Sequence, residues 1–309
     1  MRGGCDARAA ETNPASGPSP QPPAGGWGPT RSRCYAFLVG KQELNAILAQ
    51  RIEVGPGLGI FRIAPDGWPL PEFTPGQFAV VGLPAGAERT PISDPEEPGG
   101  DPGRLIRRAY SIASSSLARE YVEIFVNLVR SGELTPRLFA LEPGGRLWLG
   151  PKFTGMFTLR EVPREAHVVM IATGTGLAPY MSMLRTELVC GGPRRFAVLH
   201  GARHSYDLGY SAELFTMQRL CPNLTYLPTV SRPAEEPAPW SGASGYVQEL
   251  WTKGALARAW GSRPMPRDTH VLLCGNPGMI DDMTRVLQGE GFRIHEPRSP
   301  GELHVERYW

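Results

Sequence analysis

No stretch of this sequence approaches the run of about 20 apolar residues that a membrane-spanning helix needs. The first residues also lack the apolar core of a secretory signal. The arginines are scattered rather than gathered into one basic run, so no nucleic-acid footprint is visible. Cysteine is scarce: Cys5, Cys34, Cys190, Cys221 and Cys274 are odd in number and share no metal-ligand spacing. That usage argues against a disulfide framework and against zinc or iron–sulfur sites built from local CxxC pairs. It implies a reducing, cytoplasmic setting. A net charge of +2 favours acidic partners only weakly.

What the chain does have is glycine and proline, 37 and 32 in 309 residues, densest at the N-terminus. Residues 1–43 read as a disordered extension or a start placed too far upstream. Arg2, Arg8, Arg31 and Arg33 suit a transit peptide, but Asp6, Glu11 and the prolines do not. Length and a 41 % hydrophobic content suit two domains with cores of their own. From Ile47 onward, short apolar alternations separated by turn residues predict strands at Ile60–Ala64, Gln77–Leu83, Arg108–Ala113, Tyr121–Val129 and Arg146–Leu149. Residues 84–104 read as an acidic, Pro- and Gly-rich hairpin insertion. Such spacing predicts an antiparallel β-barrel over residues 44–158.

After about residue 158 the rhythm changes. Val168–Ala172 is a continuous apolar run, as expected of a parallel strand buried on both faces. Further strands are predicted at Phe196–His200, Thr225–Val230 and His270–Cys274. Helices at Ala178–Val189, Ala212–Leu220 and Pro277–Gln288 lie between or after them. Alternation of this kind predicts a parallel-sheet α/β domain over residues 159–309.

Four segments carry chemistry. Gly174-Thr175-Gly176-Leu177-Ala178-Pro179 closes the first buried strand and opens a helix, where bare backbone and free N–H groups suit a pyrophosphate. Arg108-Ala109-Tyr110-Ser111 offers a guanidinium fork for a diphosphate and a ring for stacking on a heterocycle. Gly132-Glu133-Leu134-Thr135 makes a second turn into a helix N-terminus. Cys274-Gly275-Asn276-Pro277 sits at the carboxyl end of a parallel strand, where α/β sheets bind ligands. Taken singly, each also reads as ordinary structure: a tight turn, an exposed arginine, a capped helix, a small core thiol. The chain ends in Val305-Glu306-Arg307-Tyr308-Trp309, an apolar ending that a frayed tail rarely has.

In this order, and with Phe73-Thr74-Pro75-Gly76-Gln77-Phe78 ahead of them, these motifs resemble the ferredoxin–NADP reductases. The Glu-Arg-Tyr-Trp ending resembles the bacterial subgroup acting on flavodoxin or ferredoxin. The resemblance covers residues 47–309. It implies FAD and NADP(H) as cofactors, a separate ferredoxin or flavodoxin as partner, and a monomer in the cytoplasm. By the same resemblance Arg108 binds the FAD pyrophosphate within the strand segment Arg108, Ala109, Tyr110 and Ser111. Tyr110 stacks on the isoalloxazine, and Ser111 bonds near flavin N5. Gly132, Leu134 and Thr135 hold FAD phosphates by their backbone. Thr173, Gly174, Thr175 and Gly176 take the NADP diphosphate and nicotinamide end. Cys274 and Glu306 line the hydride-transfer site, Tyr308 covers a flavin face, and Trp309 reaches toward the adenine of FAD. Arg203 and Arg232 receive the 2′-phosphate. The family's further arginine, in a Thr-Gly-Arg segment, is replaced here by Ser244-Gly245-Tyr246. Alternatives on the same scaffold are an oxygenase-type, ferric or flavin reductase, or a catalytically silent FAD-binding subunit.

Overall fold

A computed structural model describes residues 43–97 and 99–307. Tyr308, Trp309 and residues 1–42 of the predicted extension lie outside the described residues. Strands β1 (Ala46–Gly55), β2 (Leu58–Pro65), β3 (Phe78–Pro84), β4 (Leu105–Ser111), β5 (Val122–Asn127) and β6 (Arg146–Leu149) form an antiparallel sheet ordered β4-β3-β6-β1-β2-β5. Its two edges meet where a bridge joins Ile112, just past β4, to Ile124 in β5, and the sheet closes into a barrel. Leu48, Phe61, Ile63, Val81, Ile124 and Leu147 fill the interior and are fully buried. On β2 the other face, Leu58 and Ile60, joins a second core shared with the parallel layer. That double burial is why Ile60-Phe61-Arg62-Ile63 lacks a clean polar alternation. A short helix, α1 (Thr135–Ala140), follows the β5 turn.

Strands β7 (His167–Thr173), β8 (Phe196–Ala202), β9 (Leu224–Val230), β10 (Ala243–Ser244), β11 (Thr269–Cys274) and β12 (Leu303–Glu306) form a parallel sheet ordered β10-β9-β8-β7-β11-β12. On β7, Val168, Met170 and Ala172 enter one core while Val169 and Ile171 enter another on the opposite face. Burial on both faces explains the uninterrupted apolar run. Helices α2 (Ala178–Glu187), α3 (Ser211–Leu220), α4 (Val247–Thr252), α5 (Ala255–Trp260) and α6 (Pro277–Gly289) cover the sheet. The chain leaves β7 for β8 and β9 on one side and returns to β11 on the other. The order therefore reverses between β7 and β11, the crevice where such sheets bind ligands.

Two findings depart from the sequence reading. Cys190, just beyond α2, and Cys221, just beyond α3, are joined in a disulfide, although the cysteine count argued against such bonds. Their proximity arises because α2 and α3 flank the same strand, β8, a relation that spacing along the chain does not reveal. Cys274 is fully buried. Helix α2 also stops at Glu187, short of the predicted Val189.

Candidate active site

A cleft of about 830 Å³ opens at the carboxyl ends of the parallel strands. Thr173, Gly174, Thr175 and Arg203 line it, with Gly275 and Asn276 opposite. Pro56, Leu58 and Asn127 contribute a wall from the barrel, so both sheets build it. The volume lies within the usual range for small-molecule sites. Gly174 has φ +55° and a Cβ there would meet only open space, so this turn presents bare backbone to the cleft. Gly176 is different: a Cβ would lie 2.4 Å from the Cys274 carbonyl oxygen, so it permits the β7 and β11 turns to touch. The Asn276 N–H donates to Thr173 Oγ1 at 2.8 Å and locks the two turns together. Asn276 also caps α6, accepting from Gly278 N at 2.9 Å, with Pro277 in the first turn.

Beneath the cleft, sheet register places Cys274 directly beside Glu306, and Ala172 on its other side. Four residues of β12 suffice to bring Glu306 alongside Cys274, one strand outward from the β7/β11 crevice. Tyr180 lies fully buried under this pair, its hydroxyl donating to Leu272 O at 2.8 Å. Burial, with Cys274 and Glu306 nearby, pushes that hydroxyl well above the usual tyrosine range, so it stays a neutral donor. Sequence reasoning did not single out Tyr180, since a tyrosine at helical spacing reads as core.

A second group of predicted residues gathers on the barrel. Arg108, Ala109, Tyr110 and Ser111 end β4. Ser111 is buried, and burial pushes the Tyr110 hydroxyl up. The Arg108 guanidinium donates to Glu133 at 2.8 Å, and Arg104 donates to the other Glu133 oxygen at 2.6 Å. The turn Gly132–Thr135 is thereby held against β4. Arg104 is a cation the sequence reading missed, because it stands in the insertion, away from any motif. Leu134 is buried at the N-cap of α1. The Thr135 hydroxyl bonds Val129 through both its N–H, at 2.9 Å, and its carbonyl, at 3.1 Å. It closes the turn, leaving only backbone for a ligand.

The insertion closes over this turn. Arg89 donates to Gly132 O at 3.1 Å and Asp94 O at 2.9 Å, and Thr90 N donates to Pro136 O at 3.0 Å. Arg137, nearly fully buried, bonds Ala85 O, Glu96 and Glu133 O. The segment after β4 docks onto α2. Ser182 Oγ donates to Ser114 O at 2.7 Å, Arg185 donates to Ala113 O at 2.8 Å, and Ser115 and Thr186 share a bond of 3.0 Å. Helix α2 begins at the Gly174–Leu177 turn, so one helix ties the two predicted ligand groups together.

Arg203 and Arg232 lie just beyond the ends of β8 and β9, with Arg232 N donating to Arg203 O at 3.0 Å. Arg203 faces the cleft; Arg232 stands beside it and is not among its lining residues. Tyr246 lines the cleft at the N-cap of α4.

Residues 170–285 match the oxidoreductase NAD-binding domain family. The chain is 32 % identical over 251 residues to a ferredoxin–NADP reductase of Azotobacter vinelandii, covering 77 % of this chain and 88 % of that protein. It is 32 % identical over 243 residues to a flavodoxin/ferredoxin–NADP reductase of Escherichia coli, covering 78 % and 90 %. The fold is similar to that of a Neisseria gonorrhoeae ferredoxin NADP+ reductase crystallised with FAD and NADP, at a TM-score of 0.68 and 24 % identity over 86 % of this chain and 98 % of that one. The barrel, the switch-point cleft and relatives above 30 % identity over most of their length agree: the chain belongs to the ferredoxin/flavodoxin–NADP reductase family.

Proposed function

We infer that this chain is an FAD-dependent oxidoreductase that exchanges electrons between NADP(H) and ferredoxin or flavodoxin. The observation that carries the reading is the cleft at the β7/β11 switch point, lined by Gly275 directly after Cys274, which is itself in register with Glu306. The barrel, residues 44–158, takes FAD; residues 159–309 take the nicotinamide nucleotide. Bound FAD supplies the hydride acceptor and hands electrons singly to a carrier protein.

The chain's own residues bind, orient and exclude water. Arg108, joined by Arg104, holds the flavin diphosphate, a task suited to guanidinium forks. The backbone of Gly132, Leu134 and Thr135 faces the same phosphates. Tyr110 stacks on the ring system, and the buried Ser111 hydroxyl bonds its reactive edge. Thr173, Gly174, Thr175 and Gly176 receive the second nucleotide's diphosphate, and Arg203 with Arg232 its 2′-phosphate. Cys274 and Glu306 pack the nicotinamide end, with Tyr308 and Trp309 completing the flavin's cover. No helix of the described residues is long and apolar enough to cross a membrane. A monomer in the cytoplasm suits exchange with small carriers.

The test is direct. Purified protein should be yellow and release FAD on denaturation. NADPH should bleach the flavin absorbance anaerobically, and added ferredoxin or flavodoxin should restore it. Release of FMN, or a flavin that NADPH leaves oxidised, would overturn the assignment.

A further inference from the structure

We propose that Glu235 sets the nucleotide preference of this chain by competing with the ribose 2′-phosphate for Arg232. The inference rests on the reading that the cleft takes NADP(H). Arg203 and Arg232 are neighbours at the strand ends, yet their charges are committed differently. Among the described residues, Arg203 makes no ion pair. Arg232 does: its guanidinium lies 3.4 Å from a Glu235 carboxylate oxygen, three residues on in the turn Pro233–Glu235. His204 Nε2 reaches the same oxygen at 3.0 Å. The next residue, Glu236, accepts from both Ser205 N and Ser205 Oγ at 2.6 Å. Two adjacent carboxylates thus staple segment 232–236 onto segment 203–205, at the edge where the 2′-phosphate must arrive.

Hydrogen bonding from His204, reinforced by Arg232, holds the Glu235 carboxyl below the usual carboxylate range, so it is ionised at neutral pH. Beyond Arg232 and His204, no further ion-pair partner of Glu235 stands among the described residues. Ser244-Gly245-Tyr246 offers a ring and no cation, and the cleft's own carboxylates are Asp207 and Asp282. A 2′-phosphate, carrying between one and two negative charges, is drawn by Arg203 and repelled by Glu235. It must also share Arg232 with that carboxylate. NADH carries an uncharged 2′-hydroxyl there, which a carboxylate does not repel. The expected outcome is a narrow preference for NADPH.

Glu235→Gln keeps an acceptor for His204 and Arg232 and removes the charge. Binding of adenosine 2′,5′-bisphosphate and of 5′-AMP to the FAD-loaded full chain is measured by calorimetry, alongside KM for NADPH and NADH. The bisphosphate should bind about two- to fivefold tighter in the variant, the scale of an exposed ion pair. 5′-AMP should be unchanged, and KM should fall for NADPH alone. Glu235→Lys should move the same quantities further. An unchanged bisphosphate affinity, or an equal shift with both probes, overturns the role of Glu235. Arg203→Ala separates the two readings. If it leaves bisphosphate binding intact, or if the unmodified chain binds neither probe, the cleft assignment itself fails.

Discussion

Arg108 illustrates how much one side chain carries and how its neighbour changes the expectation. A motif arginine alone suggests a single fork for a diphosphate. The structure pairs it with Arg104 across the two oxygens of Glu133, so the proposed diphosphate site has two guanidinium groups sharing one carboxylate. A charge-assisted contact contributes about 1.5–3 kcal/mol. Arg108→Ala should therefore weaken FAD retention about tenfold or more, and Arg104→Ala should weaken it in the same direction, measured by fluorescence of released flavin. Full FAD occupancy in both variants would remove these arginines from the site. Tyr308 makes the complementary case. Proposed to cover the face that nicotinamide needs, it competes through stacking worth about 0.5–1.5 kcal/mol. Tyr308→Ser should tighten NADP+ binding and strengthen the charge-transfer band, while turnover need not rise, since tight product release becomes limiting. An unchanged NADP+ affinity would place Tyr308 away from the flavin.

Elements made by tertiary pairing are where reading and structure part. The Cys190–Cys221 bond closes a loop with a sequence separation of 31. In the chain-entropy account such a loop contributes about 3–4 kcal/mol. Reduction with dithiothreitol, or Cys221→Ala, should lower the thermal midpoint by several degrees, and an unchanged midpoint would mean that Asn223 holds the loop instead. Asn223 does grip it independently, donating to Val189 O at 3.0 Å and Arg194 O at 2.9 Å. Most strands were legible because burial on one or both faces leaves a periodic or continuous apolar trace. Strand β12 was not: four residues, Leu303–Glu306, carry no period and exist only by pairing with β11. Helices α4 and α5 are six residues each, too short to show a stripe. The motif turns were legible because glycine, proline and a cap residue are local requirements. Arg104, Tyr180 and Glu235 were not, since their partners lie across the fold.

At the scale of the molecule, the question is what keeps barrel and parallel sheet in one register. Glu123 on β5 is almost fully buried at the junction. It accepts from Arg185 on α2 at 2.6 Å, from Arg62 on β2 at 2.7 Å and from Tyr210, at the start of α3, at 2.9 Å. Arg185 also pairs with Glu213 at 2.6 Å. Tyr210 adopts φ +59°, a backbone conformation disfavoured outside glycine, which its hydroxyl bond and its packing on Phe125 help to hold. Burial pushes the Glu123 carboxyl up, but Arg185 above all, with Arg62 and Tyr210, brings it down further, leaving it below the usual carboxylate range. A depressed folded value means that the stabilisation is fully present above the unfolded pKa of about 4.3 and is lost as pH falls through the folded value. Glu123→Gln leaves Arg185 and Arg62 without their buried counter-charge, and breaking a buried pair costs about 3–5 kcal/mol. The variant should therefore lose about that much stability at pH 7 in urea unfolding and show a flatter decline into acid. Because α2 begins at the Gly174–Leu177 turn proposed to take the nucleotide and Arg185 also holds Ala113, the same change should slow flavin reduction by NADPH more than it weakens NADP+ binding. A stability loss under about 1 kcal/mol with an unaltered acid slope would show that the apolar core alone sets the register.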